Sequence, residues 1–180
     1  QQVKRVAEYA ALHKVAAVGA LVPNDAYGKT VSDALAATLT PQGVRVSPVE
    51  NYAHSAPNLD AALKRLREAY DKTPFQGLML AEGGDMLPQV LAGLKALGMD
   101  STKVRFLGTG VWDDEEILAN PNLKGAWLAA APPQYYASFV RRFTAAYGYK
   151  PKRLAALAYD AVILAAQLAL TNAGGNYTDD

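Results

Sequence analysis

The sequence lacks cysteine and has only two histidines, which limits the chemistry it can perform. Without cysteine there is no disulfide, no thiolate nucleophile and no zinc site of the cysteine type. His13 falls near a helix end and His54 in a loop, and both lie outside the four loops discussed below. We therefore predict neither a Ser-His-acid triad nor a metal-histidine site in those loops, and we expect no cofactor.

The sequence also lacks an excess of charge and a long uninterrupted apolar run. Lysine and arginine total 18 against 17 acidic residues, so no broad positive field is available to attract nucleic acid. The longest apolar run, Leu154 to Leu170, is short for a membrane span and contains Asp160 and Gln167. The first residues, QQVKRVAEYAALHK, lack a signal-peptide pattern, so we expect any export signal to have been removed.

About half of the residues are apolar, and they are organised in short runs that alternate with helical patterns. The runs are apolar without strict alternation, which is typical of parallel strands covered on both faces by helices. We therefore predict an α/β fold with a doubly wound, mainly parallel sheet. The predicted strands are Ala16 to Val22, Val44 to Tyr52, Gln76 to Ala81, Val104 to Gly108 and Gly125 to Ala130.

Helical periodicity fills the segments between these strands, and it changes character near the end of the chain. The predicted helices are Val3 to His13, Thr30 to Leu39, Leu59 to Tyr70, Met86 to Leu97, Asp114 to Leu118, Gln134 to Tyr147 and Leu154 to Leu170. The last helix is apolar nearly all round, so it requires burial on several sides. Either it packs across the edge of its own sheet, or its partner is another lobe that is absent from this chain.

Sheets of this kind bind ligands at the carboxyl ends of their strands. The loops at that edge are PNDAYG, AEGGD, GTGVWDD and AAAPPQYY. The first of them ends in Gly28-Lys29-Thr30, the last three residues of a phosphate-binding loop. That motif requires a glycine five positions before Gly28, where this chain has Pro23, a residue with no amide hydrogen. Nucleotide binding of this type is therefore not expected, and Gly28 is assigned to a strand-to-helix turn.

Several segments, in order, resemble the type I periplasmic binding proteins of the branched-chain amino-acid-binding family. VAAVGALVPNDAYGKTVSDALAATLTPQGVRV is similar to the start of that family's second lobe, with its polar loop, Tyr-Gly, long helix and second strand. FQGLMLAEGGDMLPQVLAGLKALGM and VRFLGTGVWDDEEIL are similar to its next two strands and ligand loops. LKGAWLAAAPP is similar to the strand that leaves the lobe, and FTAAYGYKPKRLAALAYDAVILAAQLA to the helices that follow.

The resemblance implies a domain organisation in which this chain is part of a two-lobed receptor. Residues 1–132 would form the second ligand-binding lobe. Residues 133–180 would be crossover helices that pack on a first lobe, which is missing on the N-terminal side. Such proteins close their lobes around a small ligand without chemistry. The implied location is the periplasm, with lipid anchoring left open.

The resemblance also implies which residues contact the ligand. They are Tyr27, Glu82, Gly83, Thr109, Gly110, Trp112 and Asp113. Amino-acid-binding members carry an acid in the third loop that pairs with the ligand ammonium, and Gly110 stands at that position here. Glu82 or Asp113 could replace it; without either, an ammonium group would be poorly paired in a closed cleft.

Three classes of function remain open from the sequence. The first is non-catalytic binding of a small polar or amphipathic ligand, an amino acid or related compound, as the extracytoplasmic substrate-binding component of an ABC importer. Its partner would be the importer's membrane permease. The second is a regulatory receptor that resembles the penicillin-binding-protein activators, contacts a cell-wall synthase and tolerates Gly110. The third is an enzyme that uses a carboxylate pair such as Glu82 and Asp113, although paired acids at a rim are common without catalysis. We also expect an exposed apolar surface on Leu154 to Leu170, or self-association through it.

Overall fold

The computed structural model of the chain describes residues 1–130, 133–151 and 155–171. The chain divides into two compact units, Gln1–Ala130 and Ala131–Asp180. The first unit contains a sheet and the helices that cover it, and the described part of the second contains two helices. Which lobe of a larger receptor each unit belongs to stays a prediction.

All strands of the first unit run parallel, which confirms the predicted doubly wound sheet. The five strands lie in the order β2-β1-β3-β4-β5, so the second strand of the chain forms one edge and the fifth forms the other. Their bounds are β1 Ala17–Pro23, β2 Arg45–Tyr52, β3 Gly77–Leu80, β4 Arg105–Gly108 and β5 Trp127–Leu128. Each strand overlaps its predicted run, and β5 is much shorter than predicted.

The helices of the first unit cover both faces of this sheet. Their bounds are α1 Gln2–Leu12, α2 Ala26–Leu39, α3 Ala56–Lys72, α4 Met86–Ala96 and α5 Glu115–Leu118. On one face, buried residues of α3 and α4 such as Leu66 and Leu91 pack with Leu78 of β3. On the other, buried residues of α1 and α2 such as Ala10 and Leu35 belong to a second core cluster. The alternating side chains of buried parallel strands therefore supply two cores.

Helix α2 begins at Ala26, four residues earlier than the predicted start at Thr30. Asp25 caps it, because the Asp25 carboxylate accepts a hydrogen bond from the backbone N–H of Gly28 at 2.8 Å. Gly28 itself packs against the preceding strand: a Cβ atom at this position would lie 1.9 Å from the carbonyl oxygen of Pro23. The glycine is thus required by close packing of the strand-to-helix turn.

The second unit contains α6, Pro133–Tyr147, and α7, Ala155–Thr171. Both overlap their predicted positions. Large apolar side chains of α7 are exposed, as expected for this apolar helix: Val162 is 67% exposed and Leu164 is 57% exposed. Within the three described ranges, no helix is both long and apolar enough to cross a membrane.

Candidate functional site

The first and third predicted ligand loops meet at the carboxyl edge of the sheet. Tyr27, which follows β1, places its hydroxyl 2.8 Å from the hydroxyl of Thr109, which follows β4. Thr109 is 2% exposed, whereas Tyr27 is 38% exposed. This hydrogen bond therefore links a buried loop residue to an aromatic side chain at the surface of the edge.

The Tyr27 hydroxyl stays protonated at neutral pH. Partial burial raises its pKa above the usual tyrosine value, and this effect outweighs the opposing hydrogen bond with Thr109. The negative charges of Glu82 and Asp25 raise the pKa further. A neutral hydroxyl can both donate and accept a hydrogen bond, so Tyr27 presents a polar group without charge.

Glu82, in the loop after β3, has both carboxylate oxygens engaged within the protein. Its Oε2 atom accepts a short hydrogen bond from the Tyr52 hydroxyl and lies 3.1 Å from His54 Nε2. Its Oε1 atom accepts from the backbone N–H of Gly83 at 3.1 Å. The Glu82 side chain is 12% exposed. The carboxylate is therefore in contact with three neighbouring groups and only slightly open to solvent.

Tyr52 and His54 were not among the predicted site residues. His54 lies outside the four predicted ligand loops, as expected, but on a further loop at the same edge. β2 ends at Tyr52, so the loop that carries His54 leaves the same edge as the other three loops. Burial raises the pKa of Tyr52, and the hydrogen bond to Glu82 raises it further. The position of these residues directly after a predicted parallel strand was a signal that could have identified them.

Trp112 occupies the core rather than the surface of the edge. Its side chain is completely buried, and a Cβ atom at Gly108 would lie 2.3 Å from its indole ring. Its indole N–H donates to the backbone carbonyl of Glu82 at 2.7 Å. In this structure the ring packs in the core and links the second and third loops, whereas the resemblance implies that Trp112 contacts the ligand.

The remaining predicted residues lie on the same two loops. Gly110 donates its backbone N–H to the side-chain oxygen of Gln2 at 3.0 Å. Asp113 directly follows the 3-10 turn Gly110–Trp112 and is partly exposed. Gly83 packs closely on Val111, which would lie 3.3 Å from an added Cβ atom. The fourth loop, AAAPPQYY, falls partly outside the described residues.

The arrangement brings together hydroxyl groups and an imidazole, which can donate or accept hydrogen bonds, and a carboxylate, which accepts them. Across residues 1–130, 133–151 and 155–171, no cluster of three or more histidine or acidic residues could hold a metal ion. The fold and this edge define a lobe of a doubly wound α/β ligand-binding protein.

The chain belongs to the periplasmic binding protein family, whose family model, described as "Periplasmic binding protein", matches residues 1–180. Proteins of this family bind small molecules and work with ABC transporter permeases. No curated protein sequence matches the chain at a significant level.

Solved structures of low sequence identity share the fold. The solute-binding protein of an ABC transporter from Rhodopseudomonas palustris BisB5, in complex with 3,4-dihydroxybenzoic acid, has a TM-score of 0.75 at 17% identity over 97% of this chain and 49% of that one. An ABC transporter substrate-binding protein from Desulfitobacterium hafniense, in complex with Leu, has a TM-score of 0.60 at 22% identity over 90% and 46%. An extracellular ligand-binding receptor from Rhodopseudomonas palustris HaA2 has a TM-score of 0.64 at 23% identity over 83% and 44%. The chain therefore spans about half the length of these structures.

Proposed function

We propose that the chain is the ligand-binding lobe of a non-catalytic receptor, the extracytoplasmic substrate-binding component of an ABC importer. Its ligand is a small polar or amphipathic compound, an amino acid or a related molecule. Residues 1–132 act as the second lobe and residues 133–180 as crossover helices of a first lobe. The receptor works in the periplasm with a membrane permease as its partner.

The observation that carries this proposal is the 2.8 Å contact between Tyr27 and Thr109. It links the loops after β1 and β4 across the intervening β3. A ligand at this edge would meet the partly exposed Tyr27 ring and hydroxyl together with the Glu82 carboxylate. Closure of the first lobe over this surface would use the ligand's binding free energy to stabilise one conformation, which a permease can recognise.

No covalent step is part of this proposal. The Glu82 carboxylate accepts hydrogen bonds from Tyr52 and Gly83, and His54 lies beside it. Both Glu82 oxygens are therefore already engaged within the protein, and the side chain is only 12% exposed. These contacts are consistent with positioning and recognition.

The test is native mass spectrometry of the protein at its natural length, as purified, followed by calorimetric titration with the retained compound. We expect a bound small molecule, and Tyr27→Ala should weaken its binding about tenfold or more because an aromatic contact is lost. Tyr9→Ala is the matched control, since Tyr9 is 45% exposed on α1 and packs near β5. Equal losses for both variants would contradict the assignment of the site.

The regulatory alternative rests on Gly110, which leaves the third loop without an acid. A receptor that mainly contacts a cell-wall synthase would tolerate this substitution, because it would not depend on pairing a ligand ammonium. Absence of any retained molecule, together with binding of a purified synthase, would favour this alternative over the importer component.

A further inference from the structure

The side chain of Gln2 occupies the space that a side chain at position 110 would enter. A Cβ atom on Gly110 would lie 2.6 Å from Gln2 Nε2 and 3.2 Å from Gln2 Cδ. The two residues are also hydrogen-bonded, because the Gly110 backbone N–H donates to Gln2 Oε1 at 3.0 Å. At this place on the carboxyl edge of the sheet, which we call the corner, the Gln2 amide fills the space that a side chain on residue 110 would need.

The hydrogen bond with Gly110 uses the oxygen of the Gln2 amide and leaves its NH2 group for other contacts. Since Oε1 accepts from Gly110, the Nε2 group is the end that remains to donate to a neighbouring molecule. An amide NH2 is uncharged and can only donate hydrogen bonds. A ligand group at this corner must therefore accept a hydrogen bond, which an ammonium group cannot do.

Two of the nearby carboxylates already accept hydrogen bonds within the protein, and a third, Asp113, lies three positions after Gly110 at the end of the 3-10 turn. Glu82 is bonded to Tyr52, His54 and Gly83, and its side chain is 12% exposed. Asp25 accepts from Gly28 and caps α2. Position 110 itself carries no carboxylate, so an ammonium placed against the Gln2 amide would face a donor instead of an acceptor.

Thr109, the residue directly before Gly110, contributes a neutral hydroxyl group that is paired with the hydroxyl of Tyr27. In the Tyr27–Thr109 pair either hydroxyl can be the donor, so the pair can reorganise to donate to a ligand or to accept from it. A ligand hydroxyl both donates and accepts, so it can accept from the Gln2 amide and can also exchange hydrogen bonds with hydroxyl groups such as these.

We propose, on the basis of the proposed receptor function, that Gln2 is a specificity-determining residue that selects ligands with a hydroxyl or carbonyl group in place of an ammonium. The ligand class is that of hydroxy acids and related hydroxyl-bearing organic acids. Gln2 acts together with Gly110, whose missing side chain admits the amide.

The experiment compares ligands that differ only in this group: leucine with leucic acid, and phenylalanine with phenyllactic acid. Calorimetric titration of the protein at its natural length should give about tenfold or more tighter binding for one hydroxy acid than for the matching amino acid. The reason is that an ammonium group would leave the Gln2 amide donor without an acceptor. Gln2→Ala should reduce this ratio to about threefold or less through the loss of the donor. Gln1→Ala, one position earlier, is the control and should leave the ratio unchanged.

A double variant gives the opposite result if the inference is correct. Gln2→Ala with Gly110→Asp opens the corner and supplies an acid, so the preference should shift towards the amino acid of each pair. Circular dichroism melting checks that each variant is folded.

The two proposals fail in different ways. A wild-type protein that binds an amino acid as tightly as its hydroxy partner overturns the inference and leaves the receptor function standing. A retained primary amine identified by its mass has the same meaning. A folded protein that binds no member of either pair and retains no molecule in native mass spectrometry overturns the receptor function, and the inference with it.

Discussion

Helices α3 and α7 are both 17 residues long, but they place their apolar side chains in opposite environments. In α3 the apolar residues Leu59, Leu63 and Leu66 form one buried stripe against the sheet, with charged residues such as Lys64 outside it. In α7 the apolar residues surround the helix, and Val162 and Leu164 are more than half exposed.

The difference concerns whether each unit provides packing partners for the apolar surface of its own helix. An amphipathic helix such as α3 needs one partner, and the sheet of its own unit provides it. A helix that is apolar all round is stable in water only when several sides are covered. The exposed surface of α7 thus agrees with the proposal that residues 133–180 act as crossover helices of a further lobe.

The largest expected effect is a difference in stability between two leucine substitutions, one in α3 and one in α7. Leu66→Ala should lower the free energy of unfolding by about 2–5 kcal/mol, because it leaves a cavity in a closely packed core. Leu66 is fully buried, whereas Leu164 is 57% exposed. Leu164→Ala should change stability by no more than about 0.5 kcal/mol. Urea unfolding followed by circular dichroism measures both, and similar losses would remove the distinction between the helices.

Two glycines extend the comparison to the backbone of each unit. Gly28→Ala should cost about 2–3 kcal/mol, because the added methyl group would collide with the Pro23 carbonyl. Gly148 in the second unit has φ +78° and no atom near an added Cβ, so Gly148→Ala should cost only about 1 kcal/mol from backbone strain. The same urea unfolding series tests this pair, and a smaller loss for Gly28→Ala would show that the turn can relax.

Much of the first unit could be predicted because its signals are local. The apolar runs of β1 and β3 and the periodic pattern of α3 each identify an element without knowledge of its neighbours. The parallel order then follows from the alternation of strands and helices. The loop after β2 was predictable on the same grounds, since Tyr52 ends a strand at the common edge, but its contribution to the site was missed.

Other features depend on contacts between distant parts of the chain. The burial of Trp112 depends on how closely its ring approaches the backbone of Gly108, which residue type alone does not indicate. The contact of Gln2 with Gly110 joins positions 108 residues apart. Such a contact is decided by the docking of α1 against the loop after β4. Without that geometry, Gly110 indicates only the absence of an acid.

The pH dependence of the unfolding free energy should also distinguish a buried tyrosine, Tyr52, from an exposed one, Tyr149. The pKa of Tyr52 is raised in the folded protein, so folding favours its neutral form. The resulting stability is complete below the unfolded pKa of about 10 and is lost as the pH rises above it, by about 1.4 kcal/mol per pH unit. Unfolding free energies measured between pH 9 and about pH 11 should therefore fall less in Tyr52→Phe than in the wild type. Tyr149→Phe is the control, because Tyr149 is 62% exposed; an identical pH dependence in wild type and Tyr52→Phe would contradict the prediction.

The smallest effect on stability is expected for a charge placed on α7. This substitution tests directly whether the apolar surface of α7 is exposed. Leu164→Lys should change the unfolding free energy of the 180-residue chain by no more than about 0.5 kcal/mol, since an exposed side chain loses little on substitution. It should nevertheless reduce binding of the dye ANS and any self-association seen by sedimentation velocity, because it interrupts the exposed apolar surface. Lys64→Leu makes the reverse change on the outer face of α3, where one added apolar residue should have little effect on either measurement. If Leu164→Lys unfolds the chain, then α7 is covered within it, and the contrast with α3 and the need for a further lobe are both removed.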